Sequence, residues 1–367
     1  MEPSLAEAGK SLPRIAVTGA GGLVGNYLVQ YLVAKGYPVV ALIRASSSSA
    51  KQLQDFVAGC GGKDVTVKYA DVNDGASLAA AFKDVDVVVH AAGCVNPYGL
   101  RDEIFKTNVD GTRTALIAAR GCGCRQFIHI SSLSVITGQG DQYNVDESAV
   151  LRYCGENYAD SKVATEEMLD SETASGGIAL TTMRPGFIYG PNEKTWMPRL
   201  IESIRTGKAA LIDGGSKETN VINVENLSRA IEGAFLNTAA YEQKYNLTDG
   251  QKISKKLLFD TISGALNLPP VRKVIPSSVA KPFCNLVSTV APLLPVATQQ
   301  KLARYSRAAF RLVGVNQGFS IAKAEAQLGY TNRVPFEKGM ANALETFRPL
   351  AENGSRVSSY AESGRKN

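Results

Sequence analysis

Tyr158 and Lys162 are the pair of side chains whose types and spacing most directly predict chemistry. Residues four apart lie on one face of a helix, so the phenol and the ammonium should point the same way. A phenol with a pKa of about 10 is a poor proton donor or acceptor at neutral pH. A neighbouring ammonium stabilises the phenolate and lowers that pKa toward the working range. The pair therefore predicts proton transfer at a substrate oxygen, although the same spacing also occurs on helix surfaces without function.

Hydroxyl groups follow the strand predicted over 126–130, in the run His129-Ile-Ser-Ser-Leu-Ser134. The carboxyl ends of parallel strands are where such sheets bind ligands. A serine there could hold a carbonyl or alcohol oxygen beside the tyrosine; the alternative is an ordinary strand-terminal turn. We expect His129 to be a buried strand residue. From the pattern alone, Asn108 could be a simple surface residue of the helix predicted over 104–120.

Three glycines, Gly19, Gly22 and Gly25, lie between a short apolar run at 14–18 and a helical pattern at 23–35. Glycines let the backbone approach a pyrophosphate, and a helix N-terminus supplies N–H donors with a partial positive charge. The loop therefore predicts dinucleotide binding, although glycine turns also follow strands for structural reasons.

The residue after the second predicted strand distinguishes the two nicotinamide dinucleotides. An acidic residue there would bind the ribose 2′-hydroxyl of NAD. This chain has Arg44 instead, followed by serines at 46–49. A guanidinium and hydroxyls suit a 2′-phosphate, so NADP(H) is favoured, with NAD(H) as the alternative cofactor and a merely solvated arginine as the structural explanation. Asp71, after the third strand, could accept a hydrogen bond from the adenine amino group or cap a helix.

Short apolar runs alternate with helical patterns over the first half of the chain. Strands are predicted at 14–18, 37–43, 65–69, 85–90, 126–130 and 178–183, and helices at 23–35, 76–82, 104–120 and 157–175. This alternation predicts an α/β protein with a Rossmann-type, doubly wound parallel sheet covered on both faces. Later helical patterns at 196–206, 224–236, 254–266 and 335–347, separated by prolines, predict a smaller, mostly helical C-terminal substrate lobe.

These patterns divide the chain into two predicted domains. The dinucleotide-binding domain covers 13–190 plus about 220–250, and the substrate-binding lobe covers 191–219 and 251–348. The polar tail at 349–367 should be disordered, and the first 13 residues should be frayed.

Composition limits the function classes. The 367 residues include 40 Lys and Arg against 34 Asp and Glu, a net charge of +6 that is too small to indicate nucleic-acid binding. Six cysteines without a repeated pair predict reduced thiols rather than a disulfide framework or a zinc cage, so no metal site is expected. The start of the chain has no apolar signal-peptide region, so a cytoplasmic location is expected.

The positive charge is concentrated near the C-terminus. Residues 261–324 contain eight basic side chains and no Asp or Glu, and 282–300 contain no charged residue at all. Pro292 and Pro295 interrupt that apolar stretch, so it is not expected to span a bilayer. Segment 276–313 is predicted either to cap the substrate cleft or to make a peripheral contact with a membrane surface, and the two roles can coexist.

Seven motifs occur in an order that resembles the extended short-chain dehydrogenase/reductase family over roughly 13–347. They are TGAGGLVG at 18–25, ADVND at 70–74, VVHAAG at 88–93, KTNVDGT at 106–112, ISS at 130–132, YADSK at 158–162 and RPGFIYGP at 184–191. The joint match is far more specific than any one motif. The resemblance implies a doubly wound sheet, an NAD(P) site and a Ser–Tyr–Lys active site.

The resemblance also implies roles for individual residues. Ser132, rather than Ser131, would orient the substrate oxygen, because members of the family place the active serine three residues before a valine. Tyr158 would be the acid/base, Lys162 would lower its pKa and bind the ribose, and Asn108 would support Lys162 through a proton relay. The implied cofactor-binding residues are Gly19, Gly22, Leu23, Val24, Gly25, Arg44, Asp71, Val72, Ala91, Ala92, Gly93, Tyr158, Lys162 and Pro185.

Within the family, the chain is more similar to the 3β-hydroxysteroid dehydrogenase branch than to nucleotide-sugar epimerases. Epimerases usually keep an acidic residue at the end of the second strand and a diphosphate-gripping arginine in a region that here reads ETNVINV at 218–224. The expected function is an NADP(H)-preferring oxidoreductase interconverting a secondary alcohol and a ketone on a small apolar molecule, steroid-like or long-chain 3-oxoacyl. Dihydroflavonol reductase-like enzymes share many of these motifs.

Two other functions remain open from sequence. A nucleotide-sugar epimerase/dehydratase with tightly bound NAD has the same fold, and a non-catalytic dinucleotide sensor or scaffold would typically have lost the Tyr or the Lys. Because members of the family often form dimers, a homodimer is expected.

Overall fold

A computed structural model describes residues 11–61, 63–95, 99–137, 140–295, 298, 302 and 305–348. The predicted disordered tail at 349–367 and most of the frayed N-terminus lie outside the described residues, as do Lys301 and Arg304 of the basic segment.

The central layer is a seven-stranded sheet whose neighbouring strands all run parallel. In spatial order its strands are β12 (Gln243–Leu247), β7 (Ala179–Pro185), β5 (Gln126–Ile130), β4 (Val87–His90), β1 (Ile15–Thr18), β2 (Val39–Ile43) and β3 (Val65–Tyr69). The short apolar runs form these strands because both faces of the sheet are covered, and β1, β2, β4 and β5 are buried at every position. The predicted doubly wound fold is confirmed, with β12 as a strand that the pattern did not predict.

Helices cover both faces of the sheet. In the first half of the chain they are α1 (Leu23–Ala34), α2 (Ala50–Gly59), α3 (Gly75–Phe82), α4 (Arg101–Phe105), a π-helical turn (Lys106–Asp110), α5 (Gly111–Gly121) and α6 (Asn157–Thr173). Alternate residues of β1 supply the two cores: Ile15 and Val17 pack with α1 on one face, and Ala16 packs with α3 and α5 on the other. The period of two in the strand therefore gives each helical layer its own apolar core.

The C-terminal lobe combines helices with short paired strands. Its helices are α7 (Met197–Arg205), α9 (Lys255–Ala265), α10 (Ser277–Val290), α11 (Arg307–Gly314) and α13 (Phe336–Glu345), while α8 (Val224–Gly233) and α12 (Ala322–Leu328) lie near the sheet. Two-stranded ladders join β6 (Gln142–Val145) to β15 (Gln317–Phe319), β8 (Phe187–Tyr189) to β11 (Val221–Asn223), β9 (Leu211–Ile212) to β14 (Val274–Ile275), and β10 (Glu218–Thr219) to β13 (Ile253–Ser254). A separate apolar core, including Tyr189, Met197, Phe259 and Phe336, holds α7, α9 and α13 together.

Gly186, between β7 and β8, lies against the backbone of Asn220. A Cβ atom on this residue would lie 1.8 Å from the carbonyl oxygen of Asn220, a backbone atom that cannot turn away. We predict that Gly186→Ala lowers the free energy of unfolding by at least about 2 kcal/mol, because overpacking forces backbone shifts. The measurement is urea unfolding followed by circular dichroism.

Gly264 provides the matched control for that substitution. It lies in α9, and a Cβ there would meet nothing within 4 Å. Gly264→Ala should raise the free energy of unfolding by roughly 0.5–1 kcal/mol, because alanine is the better helix former. Equal effects of the two substitutions would show that the contact with Asn220 does not constrain the fold.

Candidate active site

The site lies at the carboxyl edge of the sheet, where β1 stands between β2 and β4. After β1 the chain adds β2 and β3 on one side of it, and β4 then pairs with β1 on the other side. The loops that follow these strands therefore diverge on either side of β1. Open α/β sheets bind ligands in such a crevice. The glycine loop, the residues after β4 and β5, and the start of α6 all come from elements that end or begin at this edge.

The glycine loop is built for close backbone approach. Gly19 has φ of +69°, and a Cβ there would lie 2.8 Å from Ala92. A Cβ on Gly25 would lie 2.3 Å from the carbonyl oxygen of Gly19, so only glycine lets α1 start this close to β1. Gly22 caps α1 without a side chain, and the first turn, which begins with Leu23 and Val24, carries no acidic residue. The helix N-terminus therefore offers N–H donors and partial positive charge, and it fits the pyrophosphate of a dinucleotide.

Arg44 and Asp71 follow β2 and β3, on the other side of β1 from Tyr158 and Lys162. The Arg44 side chain is exposed, directly after β2. Asp71 Oδ1 accepts a hydrogen bond from the backbone N–H of Asn73 at 2.9 Å, and the N-cap of α3 is Asp74. The suggestion that Asp71 caps a helix is therefore wrong: its carboxylate closes a turn, and the residue is exposed.

The remaining predicted cofactor residues border the crevice. Ala91 follows β4, and the backbone N–H of Ala92 donates to Thr18 Oγ1 at 3.2 Å. A Cβ on Gly93 would lie 3.3 Å from Asn108 Oδ1 and 3.7 Å from Lys162 Nζ. This backbone is therefore in contact with two of the predicted catalytic side chains.

Two further predicted cofactor residues are packed by the fold. Val72 packs against α5, where a Cβ on Gly111 would lie 2.7 Å from its Cγ2. Pro185 is the buried last residue of β7.

Asn108 is buried inside the π-helical turn rather than on a helix surface. Its Oδ1 accepts from the backbone N–H of Cys94 at 2.7 Å, and its Nδ2 donates to Cys94 O at 3.1 Å and to Ser161 Oγ at 2.9 Å. Single π-turns inside α-helices are frequent at functional sites. Asn108 thereby ties the loop after β4 to the helix that carries Tyr158 and Lys162.

Ser131 and Ser132 point to different partners. Ser131 Oγ donates to the buried carboxylate of Glu166 at 2.6 Å. Ser132 Oγ accepts from the backbone N–H of Ser134 at 3.1 Å, and its hydroxyl lies close enough to the Tyr158 phenol to lower the pKa of that phenol. Ser132 is thus the serine whose hydroxyl lies beside the phenol.

Tyr158 lies in the first turn of α6, and its electrostatics differ from the expectation. Burial raises its pKa to about 12, and the nearby Cys94 thiol adds to the rise while the Ser132 hydrogen bond opposes it. The spacing of Tyr158 and Lys162 predicts a lowered pKa. In the structure the direction is reversed, because the loss of hydration around the phenolate outweighs the favourable interactions.

Lys162 is buried one turn further along α6, and its ammonium donates to the carbonyl oxygen of Ile130 at 2.8 Å. Burial lowers the pKa of Lys162 to about 8, partly offset by the carboxylate of Glu166. The bond to Ile130 aims the ammonium at the carboxyl end of β5, the strand that also leads to Ser132.

Glu166 and Arg184 were missed by the sequence reasoning. Arg184 Nη2 donates to Glu166 Oε2 at 2.6 Å and its Nε donates to Oε1 at 3.0 Å, with both side chains at most 2% exposed. Burial acts to raise the pKa of Glu166, but Arg184 and Ser131 hold it below its usual value. The signal was present, because Glu166 follows Lys162 by four residues and so lies on the same face of α6.

His129 is fully buried in β5, as predicted. Burial lowers its pKa well below the usual value. Among the described residues, no group of three or more His, Cys, Asp or Glu side chains could hold a metal ion.

Comparisons with known proteins identify the family of the chain. A family model described as the NAD dependent epimerase/dehydratase family matches residues 15–247. A 4-hydroxy-2-methyl-3-oxo-4-farnesyl-3,4-dihydroquinoline-1-oxide ketoreductase of Stigmatella aurantiaca is 28% identical, over 92% of this chain and 98% of that protein. The human sterol-4-alpha-carboxylate 3-dehydrogenase, decarboxylating, is 25% identical, over 92% of this chain and 89% of that protein.

The fold is also similar to solved structures. One is UDP-glucuronic acid 4-epimerase from Bacillus cereus in complex with NAD, with a TM-score of 0.69 and 18% identity over 92% of this chain and 99% of that one. At that identity the likeness concerns the fold alone. The family match covers most of the chain, and relatives that match nearly its full length are named as reductases and dehydrogenases. The chain therefore belongs to the NAD-dependent epimerase/dehydratase family, and it is an enzyme of the extended short-chain dehydrogenase/reductase type.

Proposed function

We propose that the protein is an NADP(H)-preferring oxidoreductase that interconverts a ketone and a secondary alcohol on an apolar molecule, steroid-like or long-chain 3-oxoacyl. The observation that carries the proposal is the placement of the Ser132 hydroxyl beside the Tyr158 phenol, on the helix whose next turn carries the buried Lys162 ammonium. A donor pair of this kind suits an oxygen that gains negative charge during the reaction.

Each of the four predicted catalytic residues has its own role in this reaction. When bound, the nicotinamide cofactor supplies or accepts the hydride. Tyr158 gives its proton to the substrate oxygen during ketone reduction, and the Ser132 hydroxyl holds that oxygen by a hydrogen bond. Lys162 places a positive charge near the phenol as the phenolate forms, and Asn108 fixes the backbone beside it.

The preference for NADP(H) rests on Arg44. Its exposed guanidinium follows β2, where an acidic residue would accept from the ribose 2′-hydroxyl of NAD. Ser47 lies next to the glycine loop, since a Cβ on Gly21 would be 3.0 Å from Ser47 Oγ. A guanidinium with neighbouring hydroxyls favours a 2′-phosphate.

The apolar substrate is supported by two relatives. Their names describe a farnesyl-substituted quinoline oxide and a sterol carboxylate, and both are oxidoreductases that match this chain over 92% of its length. Both named substrates combine an oxygen function with a large hydrocarbon part.

The first prediction concerns Tyr158. Tyr158→Phe should lower kcat for ketone reduction at least about 10²-fold, because the proton donor is lost. Binding of NADPH, measured by fluorescence titration, should stay unchanged. The matched control is Tyr153→Phe, since Tyr153 is exposed and donates to Glu167 at 2.6 Å; this variant should keep full turnover. Unchanged turnover in Tyr158→Phe would refute the assignment.

The second prediction concerns cofactor choice. Arg44→Asp should shift the ratio of kcat/KM for NADPH over NADH by about tenfold or more toward NADH, because a charge-assisted phosphate contact is lost and a 2′-hydroxyl acceptor is gained. Lys83→Asp is the control: Lys83 is an exposed base that caps α3 before the amino end of β4, and its change should leave the ratio as it is.

Two outcomes of the cofactor experiment would count against the proposal. An unaltered ratio in Arg44→Asp would reject the NADP(H) preference. NAD released from the purified protein on denaturation, together with an absence of hydride transfer to added ketones, would favour the epimerase alternative.

The third prediction concerns pH. The Lys162 ammonium, with a pKa of about 8, is present below that pH and lost above it. At saturating cofactor, kcat/KM for ketone reduction should therefore be flat from about pH 6 to 7.5 and fall as the pH rises through about 8. Steady-state rates across this range provide the measurement. A profile that stays flat to pH 10 would show that the charge on Lys162 does not act in the reaction.

A further inference from the structure

Helix α10 and the turn after it expose a stripe of large apolar side chains. Val279, Phe283, Leu286, Val290 and Leu293 are 59%, 51%, 62%, 41% and 83% exposed. Their spacing of i, i+4, i+7, i+11 and i+14 places the helical members on one face. We call these five residues the α10 stripe. Isolated exposed apolar residues are normal on proteins, but a contiguous row of this kind marks an interaction surface.

The other face of α10 already has its partners. Ala280 and Cys284 are buried in a cluster with Ile212 and Phe310, which joins α10 to β9 and α11. The fold therefore accounts for the inner face of the helix, and the outer stripe is not needed for packing within the described chain.

Neighbouring side chains extend the stripe onto a second element. The Tyr305 ring packs edge-on against Phe283, with centroids 5.8 Å apart, and Leu312 on α11 is 47% exposed. Tyrosine, which combines an apolar ring with a polar hydroxyl, is typical of the interface between water and lipid.

The segment that contains the stripe carries only positive charge, although Asp213 accepts a hydrogen bond from the backbone N–H of Ser277 at the start of α10. Residues 261–324 contain eight Lys and Arg and no Asp or Glu. Lys281 on α10 and Arg307 at the start of α11 are exposed. An apolar helix face with basic neighbours fits an anionic bilayer surface, which attracts the bases and accepts the apolar side chains. A second copy of the chain fits less well, because it would bring the same positive charges together.

The dimensions of α10 suit a position on a membrane surface rather than across a bilayer. Among the described residues, no helix is both long enough and apolar enough to cross a bilayer. Pro282 lies inside α10, whose 14 residues are fewer than the roughly 20 that a span requires.

Side-chain contacts connect this surface to the active site. The backbone N–H of Arg307 donates to Ser288 Oγ at 2.8 Å, which joins α11 to α10. Arg311 on α11 forms an ion pair with Glu156 and donates to Cys154 Sγ at 3.6 Å. Glu156 is the N-cap of α6, two residues before Tyr158. The stripe and the first turn of the catalytic helix are therefore linked through a single short helix.

We propose that the α10 stripe docks the enzyme on an anionic membrane surface, with its hydrocarbon-rich substrate drawn from the bilayer beside α11. The docking itself stands on the stripe and its charges, while the delivery of substrate rests on the proposed function. Lipid vesicles provide a test of the first part that needs no turnover.

The experiment is co-sedimentation of the full chain with vesicles, either pure phosphatidylcholine or equal parts phosphatidylcholine and phosphatidylserine. The protein should sediment with the anionic vesicles. The double substitution Phe283→Asp with Leu286→Asp should weaken that partitioning at least about tenfold, because apolar burial is replaced by repelled charge. Leu293→Asp changes the most exposed residue of the stripe, which lies outside α10, and it should also weaken partitioning. This single substitution keeps the test decisive if the double variant folds poorly.

Matched controls separate the stripe from apolar exposure in general. Ile117→Asp removes a side chain that is 54% exposed on α5, and its partitioning should equal that of the unaltered protein. Lys281→Glu with Arg307→Glu should lower partitioning onto anionic vesicles by roughly thirtyfold or more, since each of the two bases near such a surface contributes about fivefold. Reduction of a water-soluble ketone should be unchanged in all these variants.

Three results would overturn the docking proposal. They are no sedimentation of the unaltered protein with anionic vesicles, equal loss in the Ile117→Asp control, and a dimer in solution that the double substitution converts to a monomer. The last result would assign the stripe to an interface between copies of the chain. Failure of the proposed oxidoreductase function would appear instead as absent hydride transfer with vesicle binding intact.

Discussion

The buried carboxylate of Glu166 is the charge around which the site is organised. Removing a carboxylate from water costs several kcal/mol, and only good geometry with further hydrogen bonds offsets that cost. Arg184 supplies two donors from the end of β7, and Ser131 supplies one from the end of β5. Since Ser131 is held in this way, the next residue must turn its hydroxyl elsewhere, and Ser132 reaches Tyr158. The same carboxylate favours the charged form of Lys162. One buried ion pair thus fixes the serine turn and supports the lysine.

The central sheet was predictable because its strands are nearly all apolar. Continuous runs such as IAVT and VVALI have no exposed face, and both faces are indeed buried in β1 and β2. The strand β12 was not predicted, because its sequence QKYNL has polar residues at positions that a buried strand normally avoids. It forms because Tyr245 and Leu247 are buried and because β7 supplies a full ladder, with Tyr245 opposite Met183. Pairing with β7, rather than the local sequence pattern, therefore determines that these residues form a strand.

Helix α10 is a second element that the sequence patterns did not predict. Prolines separate the helical patterns recognised in the C-terminal lobe, and a proline removes one helical hydrogen bond, so no helix was predicted around Pro282. The helix forms despite the hydrogen bond lost at Pro282, because Ala280 and Cys284 pack in a cluster with Phe310 and Ile212. At the active site, the positions of the glycine loop, the serines and the Tyr–Lys pair followed from motifs. The contacts of Asn108 with Cys94 and Ser161 did not, since they join segments that are far apart in the chain. The roles of these residues in catalysis stay predictions.

The reversed pKa of Tyr158 bears on which way the chemistry runs most readily. With a pKa of about 12, the phenol at pH 7 is almost entirely protonated, with roughly one molecule in 10⁵ ionised. A protonated phenol is ready to donate to the oxygen of a ketone, whereas alcohol oxidation needs the phenolate as base. Burial makes that phenolate costly, and the Ser132 hydroxyl offsets only part of the cost. Burial is the largest cause of the pKa shifts of both Tyr158 and Lys162, and a protonated Tyr158 at neutral pH fits the ketone reduction that we propose. Oxidation would require a higher pH, but above about 8 the lysine that should stabilise the phenolate loses its own proton.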